Sequence, residues 1–268
     1  MPTRIDLDLD IDSDDVLLRL IELGALDIDT SPSGGIAAIL PEELPAETVA
    51  RMLGVPPDAV RVSAATGYDD DSVWILKPRP VRAGRFRIVP AGRDAEPGAI
   101  RLAGGTAFGT GLHPTTALCL EVLTDELEAG APPTLLDIGT GTGVLALAAL
   151  ASGVQRVVAI DLDAHAVAAA AANAALNDVR DRLQLIQSSV DALAGQWPFV
   201  VANIVAAPLI DLAPAIVRLM ARSGTLVLSG IRLSLADEVK DAYRHLGMHP
   251  LSERMREGWA ALTLRTSW

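Results

Sequence analysis

The stretch from Leu135 to Gly143 constrains the fold of this chain more than any other part of its sequence. A short apolar run ends at Asp137, three glycines follow at alternate positions, and a helical pattern rich in alanine and leucine begins at Val144. Glycine has no Cβ atom, so a glycine turn at the start of a helix allows the backbone to approach a ligand closely. The pattern therefore predicts a strand that turns into a helix beside a ligand, although a tight turn without a ligand would look the same.

A second acid, Asp161, ends the next apolar run and lies 22 residues after Gly139. In doubly wound folds, an acid in this place binds the ribose hydroxyls of a nucleotide-type ligand, and a carboxylate can accept two such hydrogen bonds. A dinucleotide is disfavoured, because its fingerprint requires glycine or alanine where Val144 stands. The alternative interpretation of Asp161 is an acid that only caps the following helix.

From residue 103 onward, apolar runs of strand length alternate with helical segments. Strands are predicted at 134–138, 157–161, 183–187, 199–203, 225–229, 248–254 and 259–265. Helices are predicted at 115–129, 143–152, 164–177, 208–220 and 235–246. Such alternation indicates a mostly parallel sheet. Seven strands, the last two joined by a short turn near Glu257, predict an α/β, Rossmann-like domain over residues 103–268.

The first 64 residues predict a smaller domain with a different order of elements. Residues 5–11 alternate between apolar and acidic side chains, as in a half-exposed strand. A helix after Asp14, a hairpin over residues 25–40, a helix at 45–53 and a strand at 59–64 complete the order β-α-β-β-α-β. This order is ferredoxin-like α+β, and we expect a domain that binds the substrate, since no catalytic constellation appears in it.

Residues 65–102 are predicted as a linker between the two domains. Lys77-Pro78-Arg79-Pro80 cannot form a regular helix, because proline lacks a backbone donor and restricts the residue before it. One short strand is predicted at Phe86–Val89, and residues 92–98 are predicted as a loop.

The net charge of −12 is concentrated at the front of the chain. Residues 1–70 contain four arginines, no lysine and fifteen acidic residues. This balance disfavours direct binding to nucleic acid and favours a basic protein partner, although a need for solubility alone would also explain it.

Composition and the single cysteine narrow the class of protein further. Half of the residues are hydrophobic, which is enough for a sizeable core, yet no apolar stretch is long enough to span a bilayer. The acidic N-terminus does not resemble a signal peptide, so we expect a cytoplasmic protein. We also expect this protein to be a monomer and to have no membrane partner. Cys119 cannot form an intrachain disulfide, and no cluster of residues predicts a metal site.

Four segments together resemble one family of enzymes. They are Ala107-Phe108-Gly109-Thr110-Gly111-Leu112-His113-Pro114-Thr115-Thr116, the glycine turn at 135–143, Ile160-Asp161-Leu162-Asp163 and Val201-Ala202-Asn203-Ile204-Val205-Ala206. Over nearly its whole length the chain resembles PrmA, the methyltransferase family of the stalk-base protein, the eleventh protein of the large ribosomal subunit. The resemblance implies S-adenosyl-L-methionine as the cofactor and methylation of lysine or N-terminal amines of that ribosomal protein.

The resemblance also implies where the cofactor binds. Thr116 is expected at the methionine end of the cofactor, and Asp161 at its ribose hydroxyls. Asn203 is expected to bind the cofactor beside the transferable methyl group and to be the catalytic residue. The glycines expected to form the cofactor-binding turn are Gly139, Gly141 and Gly143.

Some features depart from the family or leave alternatives open. The family has an acid before the Phe-Gly-Thr-Gly string, whereas this chain reads Leu102-Ala103-Gly104-Gly105-Thr106, so the anchoring of this segment is expected to differ. Asn203 could simply start a loop, and His113 could be a loop histidine without a ligand. Methylation of another protein, a nicotinamide-dependent oxidoreductase and a non-catalytic binding module are the alternative functions.

Overall fold

The computed structural model of the protein describes residues 2–8, 13–30, 35–65, 80–92, 95–103, 109, 111 and 113–268. The chain divides into two compact units, residues 1–78 and residues 79–268. Among the helices in the described ranges, none is both long and apolar enough to cross a membrane.

The first unit contains a four-stranded antiparallel sheet and two helices. Its elements are β1 (Thr3–Asp8), α1 (Ser13–Glu22), β2 (Asp27–Thr30), β3 (Gly35–Leu40), α2 (Ala46–Leu53) and β4 (Val60–Ala64), and the strand order is β2-β3-β1-β4. The alternating sequence of β1 buries Ile5 and Leu7, which join Leu20 of α1 and Val49 of α2 in one core. The order of elements is the one predicted from the sequence; the predicted extension of β1 to residue 11 lies outside the described residues.

The second unit begins with a small three-stranded sheet inside the predicted linker. Its strands are β5 (Val81–Ala83), β6 (Phe86–Pro90) and β7 (Ile100–Leu102), with β6 in the centre. The sequence predicted only β6, because three residues are too few to show a strand period. Ile88 and Ile100 are buried in the main core of the second unit.

The large sheet of the second unit has seven strands in the order β10-β9-β8-β11-β12-β14-β13. They are β8 (Thr134–Ile138), β9 (Arg156–Asp161), β10 (Leu183–Gln187), β11 (Trp197–Asn203), β12 (Met220–Arg232), β13 (Met248–Arg256) and β14 (Trp259–Thr266). Pairing is parallel from β10 to β12, and β14 is antiparallel to both of its neighbours. All seven predicted strands are present, so the predicted α/β, Rossmann-like architecture is confirmed.

Six α-helices accompany this sheet, where the sequence predicted five helices. They are α3 (Pro114–Glu128), α4 (Val144–Ala151), α5 (Ala164–Leu176), α6 (Ala206–Asp211), α7 (Ala213–Arg218) and α8 (Ala236–Arg244). The prediction of one helix over 208–220 was wrong, because the helix is interrupted at Leu212, which ends α6 and precedes α7. Pro214 lies in the first turn of α7, and a proline ring clashes with the carbonyl four residues earlier in a continuous helix.

Both faces of the large sheet are buried. Leu135 and Val201 belong to one apolar cluster, whereas their neighbours Leu136 and Val200 belong to another. Successive strand residues point to opposite faces, and helices cover both faces of a parallel sheet. This two-sided burial explains the nearly continuous apolar runs that mark β8 and β11 in the sequence.

The topology brings two predicted site residues, and the acid Asp137 that precedes the glycine turn, to one edge of the sheet. The chain order reverses at β8, which lies between β9 and β11. Ligands of open α/β sheets bind outside the carboxyl ends of the strands at such a reversal. Asp137, Asp161 and Asn203 lie at or next to the carboxyl ends of β8, β9 and β11.

Candidate functional site

The glycine turn between β8 and α4 is closely packed against its neighbours. All three glycines have left-handed backbone conformations, with φ of 70° at Gly139, 55° at Gly141 and 81° at Gly143. A Cβ atom on Gly139 would collide with the side chain of Ile204, the residue after Asn203. A Cβ atom on Gly143 would lie 3.1 Å from Ala170 Cβ of α5. Larger residues would therefore distort the turn, and the turn is held against both the end of β11 and helix α5.

The carboxylate of Asp161 is oriented by two backbone donors. The Gly141 N–H donates to Oδ2 at 3.0 Å, and the Asp163 N–H donates to Oδ1 at 3.0 Å. Helix α5 is capped by Asp163, whose side chain accepts from the His165 N–H at 2.8 Å. Since each carboxylate oxygen has a further lone pair, the half-buried Asp161 can still accept ligand hydroxyls beside the turn.

Asp137 is a fully buried acid beneath the glycine turn. Its Oδ2 accepts the Thr140 hydroxyl at 2.7 Å, while its Oδ1 has no partner among the described residues. Burial raises the pKa of this carboxyl to about 7, against the opposing hydrogen bond from Thr140. The turn therefore contains an acid whose ionised form is disfavoured by burial.

This raised pKa predicts a specific dependence of folding stability on pH. Because the folded pKa of Asp137 lies near 7 and its usual value is 3.8, the folded state binds more protons between these values, so stability falls as pH rises through this window. The Asp137→Asn variant keeps an acceptor for Thr140 but cannot ionise at this position. We expect the variant to gain about 1–4 kcal/mol of unfolding free energy relative to the parent protein on going from pH 5 to pH 8.

Urea unfolding of both proteins at the two pH values measures this difference, because other titrating groups cancel in the comparison. Parallel pH profiles for the two proteins would show that Asp137 is ionised at little cost in the folded state.

Asn203 presents a buried acceptor at the end of β11. It is 8% exposed, and its Nδ2 donates to the Thr116 hydroxyl at 3.3 Å. Its Oδ1 has no partner among the described residues. Buried polar atoms are normally hydrogen-bonded, so this oxygen is suited to accept a hydrogen from a ligand.

The segment before α3, residues 103–113, is described only in part. Positions 104–108, 110 and 112 lie outside the described residues. The Gly109 carbonyl accepts from the Thr142 hydroxyl at 2.6 Å. His113 caps α3 by accepting the Thr115 N–H at 3.3 Å, and its ring packs edge-on against Trp259 at 4.9 Å between centroids. Within the described ranges there is no group of residues suited to hold a metal ion.

Two residues that hold the glycine turn from the side, Thr142 and Asn173, were not predicted from the sequence. Thr142 and Asn173 form buried hydrogen bonds across elements that are distant in sequence. A signal was present, since Asn173 of the alanine-rich helix α5 is followed four residues later by a second amide, Asn177, at the C-terminal cap of the helix. That spacing puts both on one helical face, but their partners could not be read from the sequence.

Comparisons with known proteins agree with this architecture. The family described as ribosomal protein L11 methyltransferase (PrmA) matches residues 36–267. Proteins named ribosomal protein L11 methyltransferase are 38% identical over 213 residues in Pelobacter propionicus (76% of this chain, 69% of that protein) and 40% identical over 227 residues in Chromohalobacter salexigens (83% and 75%). The crystal structure of a ribosomal protein L11 methylase from Lactobacillus delbrueckii subsp. bulgaricus is 30% identical, with a TM-score of 0.64, and covers 70% of this chain and 99% of that chain.

Fold and relatives together define an S-adenosylmethionine-dependent methyltransferase with a Rossmann-like sheet. The chain belongs to the ribosomal protein L11 methyltransferase family, PrmA. The resemblance recognised in the sequence, the enzyme class and the cofactor that it implies are thereby confirmed. The nicotinamide-dependent oxidoreductase is not supported.

Proposed function

We propose that this enzyme methylates lysine or N-terminal amines of ribosomal protein L11, and that Asn203 orients the amine. The supporting observation is the buried Oδ1 atom of Asn203, which has no partner among the described residues. An amine nitrogen carries hydrogens that this oxygen can accept. The carboxamide is uncharged, so it directs the nitrogen lone pair towards the methyl group without stabilising the unreactive ammonium form.

The chemistry requires alignment more than acid–base catalysis. When bound, S-adenosylmethionine supplies a methyl group on a sulfonium, and attack by the neutral amine forms the N–C bond as the C–S bond breaks. Thr116 holds the Asn203 carboxamide through the 3.3 Å hydrogen bond and so fixes the direction of Oδ1. Holding the two reactants in line lowers the barrier by several kcal/mol without a strong base. Less solvated surroundings lower the pKa of a substrate lysine, and water takes the released proton.

The proposed cofactor site combines residues at or after the carboxyl ends of β8, β9 and β11 with Thr116 of α3. Asp161 accepts the ribose hydroxyls, the glycines Gly139, Gly141 and Gly143 allow close approach, and Thr116 and Asn203 lie at the methionine end. Its support is the geometry: Asp161 already accepts from the Gly141 N–H, and Thr116 already contacts Asn203.

Asp161→Ala is expected to weaken binding of S-adenosylhomocysteine by roughly 1–3 kcal/mol, because the ribose hydroxyls lose their charged acceptor. Isothermal titration calorimetry measures the change. Asp163→Ala is the matched control, since it removes a neighbouring carboxylate that caps α5 and should alter cofactor affinity much less. Unchanged affinity in Asp161→Ala would mean that another residue binds the ribose.

We further propose that residues 1–64 capture L11 and that residues 65–102, including the small sheet, connect this domain to the methyltransferase domain at 103–268. The support is the strongly acidic charge of residues 1–70, which suits a basic protein partner.

The enzyme acts in the cytoplasm as a monomer that binds no nucleic acid directly. Light scattering of the purified protein tests the monomeric state.

The substrate proposal is tested with purified L11 in two forms, untreated and with its amines acetylated. After incubation with the enzyme and S-adenosylmethionine, intact-mass spectrometry should show added methyl groups on untreated L11 only, and peptide mapping should place them on lysine or the N-terminus. Equal methylation of acetylated L11 would contradict an amine acceptor, and no methylation of either form would contradict L11 as the substrate.

A further inference from the structure

We propose that Asn173 is a positioning residue for cofactor binding: it fixes the glycine turn relative to Ala103 and Gly109, the two described residues on either side of positions 104–108. This inference rests on the proposed cofactor site at the turn. Asn173 belongs to α5, which carries none of the predicted site residues, and it is only 1% exposed.

The side chain of Asn173 bridges two backbone segments that are far apart in the sequence. Its Nδ2 donates to the Thr142 carbonyl at 2.8 Å, and its Oδ1 accepts from the Ala103 N–H at 2.7 Å. Both ends of one carboxamide are used, one as donor and one as acceptor, so the amide has a single favourable orientation. Asn173 therefore joins Ala103, the residue after β7, directly to the glycine turn.

Thr142 extends this bridge to a third segment. Its hydroxyl donates to the Gly109 carbonyl at 2.6 Å, and the residue is 4% exposed. Three hydrogen bonds, two of them buried and the one at Ala103 part-buried, therefore run from Ala103 through Asn173 and Thr142 to Gly109. Buried hydrogen bonds are strong because water does not compete for them, and an unpaired group left behind is costly.

The close packing of α5 explains why an asparagine on this helix can reach the turn. Gly143 follows Thr142, and a Cβ atom at Gly143 would lie 3.1 Å from Ala170 Cβ, three residues before Asn173. The sequence between Leu102 and Thr106 contains no acidic side chain. In this chain the Ala103 N–H is held by Asn173 of α5.

Asn177 provides a matched control at the end of the same helix. Its side chain accepts from the Arg101 N–H at 2.8 Å and donates to the Arg101 carbonyl at 2.7 Å, so it also holds β7 through both ends of a carboxamide. It has no hydrogen bond to the turn within the described residues. The Nδ2 of Asn177 also donates to the backbone carbonyl of Asn173 at 2.7 Å, so Asn177 caps the end of α5. The two residues share a chemical group, but only the side chain of Asn173 links the end of β7 to the turn.

The loss of Asn173 should change cofactor binding more than the loss of Asn177. Without it, the Thr142 carbonyl and the Ala103 N–H lose their partner, and the turn is no longer held in a single position. In Asn173→Asp, the acceptor for Ala103 is kept, but a carboxylate oxygen faces the Thr142 carbonyl. Thr142→Val removes only the link to Gly109.

The test uses the full chain with Asn173→Ala, Asn173→Asp, Thr142→Val and Asn177→Ala. We expect the Kd for S-adenosylhomocysteine and the KM for S-adenosylmethionine to rise about tenfold or more in both Asn173 variants, with a smaller change in kcat. Thr142→Val should give a smaller rise, and Asn177→Ala should stay within about twofold while losing stability in urea. If Asn173→Ala does not fold, Asn173→Asp and Thr142→Val give the same comparison.

Two results would overturn the inference. One is an unchanged Kd in the Asn173 variants; the other is an equal rise in Asn177→Ala, which would reduce Asn173 to a purely structural residue. Asp161→Ala separates this inference from the proposed site. If Asp161→Ala also binds normally, the site itself is misplaced, whereas weakened binding in Asp161→Ala with normal binding in Asn173→Ala rejects only the role of Asn173.

Discussion

Asn203→Ala is expected to lower kcat for methylation of L11 by about 100-fold, because the amine loses the acceptor that aligns its lone pair. Its effect on folding should be small, within about 1 kcal/mol. The substitution removes a buried oxygen that has no partner among the described residues, and this gain offsets the loss of the 3.3 Å hydrogen bond to Thr116. Cofactor affinity should fall much less than kcat.

Steady-state kinetics and thermal unfolding, measured on the same preparations, separate the two effects. Asn203→Asp is a useful companion variant, since it keeps an oxygen acceptor of similar size but adds a charge that favours the ammonium form of the substrate. We expect its activity to be low as well, with recovery at higher pH. If activity and stability fall together in Asn203→Ala, the residue is structural and the proposed orienting role is wrong.

A chain that lacks residues 1–64 should bind S-adenosylhomocysteine with an affinity within about twofold of the parent protein, yet lose about 100-fold or more of its activity on intact L11. The proposed cofactor site lies in residues 79–268, which form a compact unit, whereas the acidic front domain is proposed to hold L11 near the pocket. Once that contact is lost, the effective concentration of the target amine falls.

The dependence of the KM for L11 on ionic strength is a second test of the proposal that the front domain binds L11. If the acidic charge of residues 1–70 attracts a basic partner, increased ionic strength should raise the KM for L11 in the full chain and have little effect on the shortened one. Full activity of the shortened chain on intact L11 would rule out the docking role, and loss of cofactor binding would show that the catalytic domain depends on the front domain.

Secondary structure was largely predictable because its signals are local. The apolar runs and glycine turn around β8 and α4 carry their periodicity within a few residues. Every strand of the large sheet overlaps its prediction, although β12 begins at Met220, five residues earlier than predicted. Errors arose where the local pattern was short or interrupted. β5 and β7 have three residues each, and Pro214 divides a helix whose apolar pattern continues through it.

The site was predictable only in part, for a physical reason. The positions of Asp161 and Asn203 at strand ends followed from the topology of a parallel sheet. The bridge of Asn173 between Ala103 and Thr142 depends on contacts between residues 31 and 70 positions apart, which no local pattern encodes. The raised pKa of Asp137 likewise depends on complete burial, which only the packed structure reveals.

A crystal structure of the full chain with S-adenosylhomocysteine tests the account most directly. We expect the ribose hydroxyls within hydrogen-bond distance of Asp161, the backbone of the turn at Gly139 against the methionine part, and the sulfur beside the Asn203 carboxamide. A cofactor bound away from the carboxyl ends of β8, β9 and β11, or one that leaves Asp161 and Asn203 without contact, would contradict it.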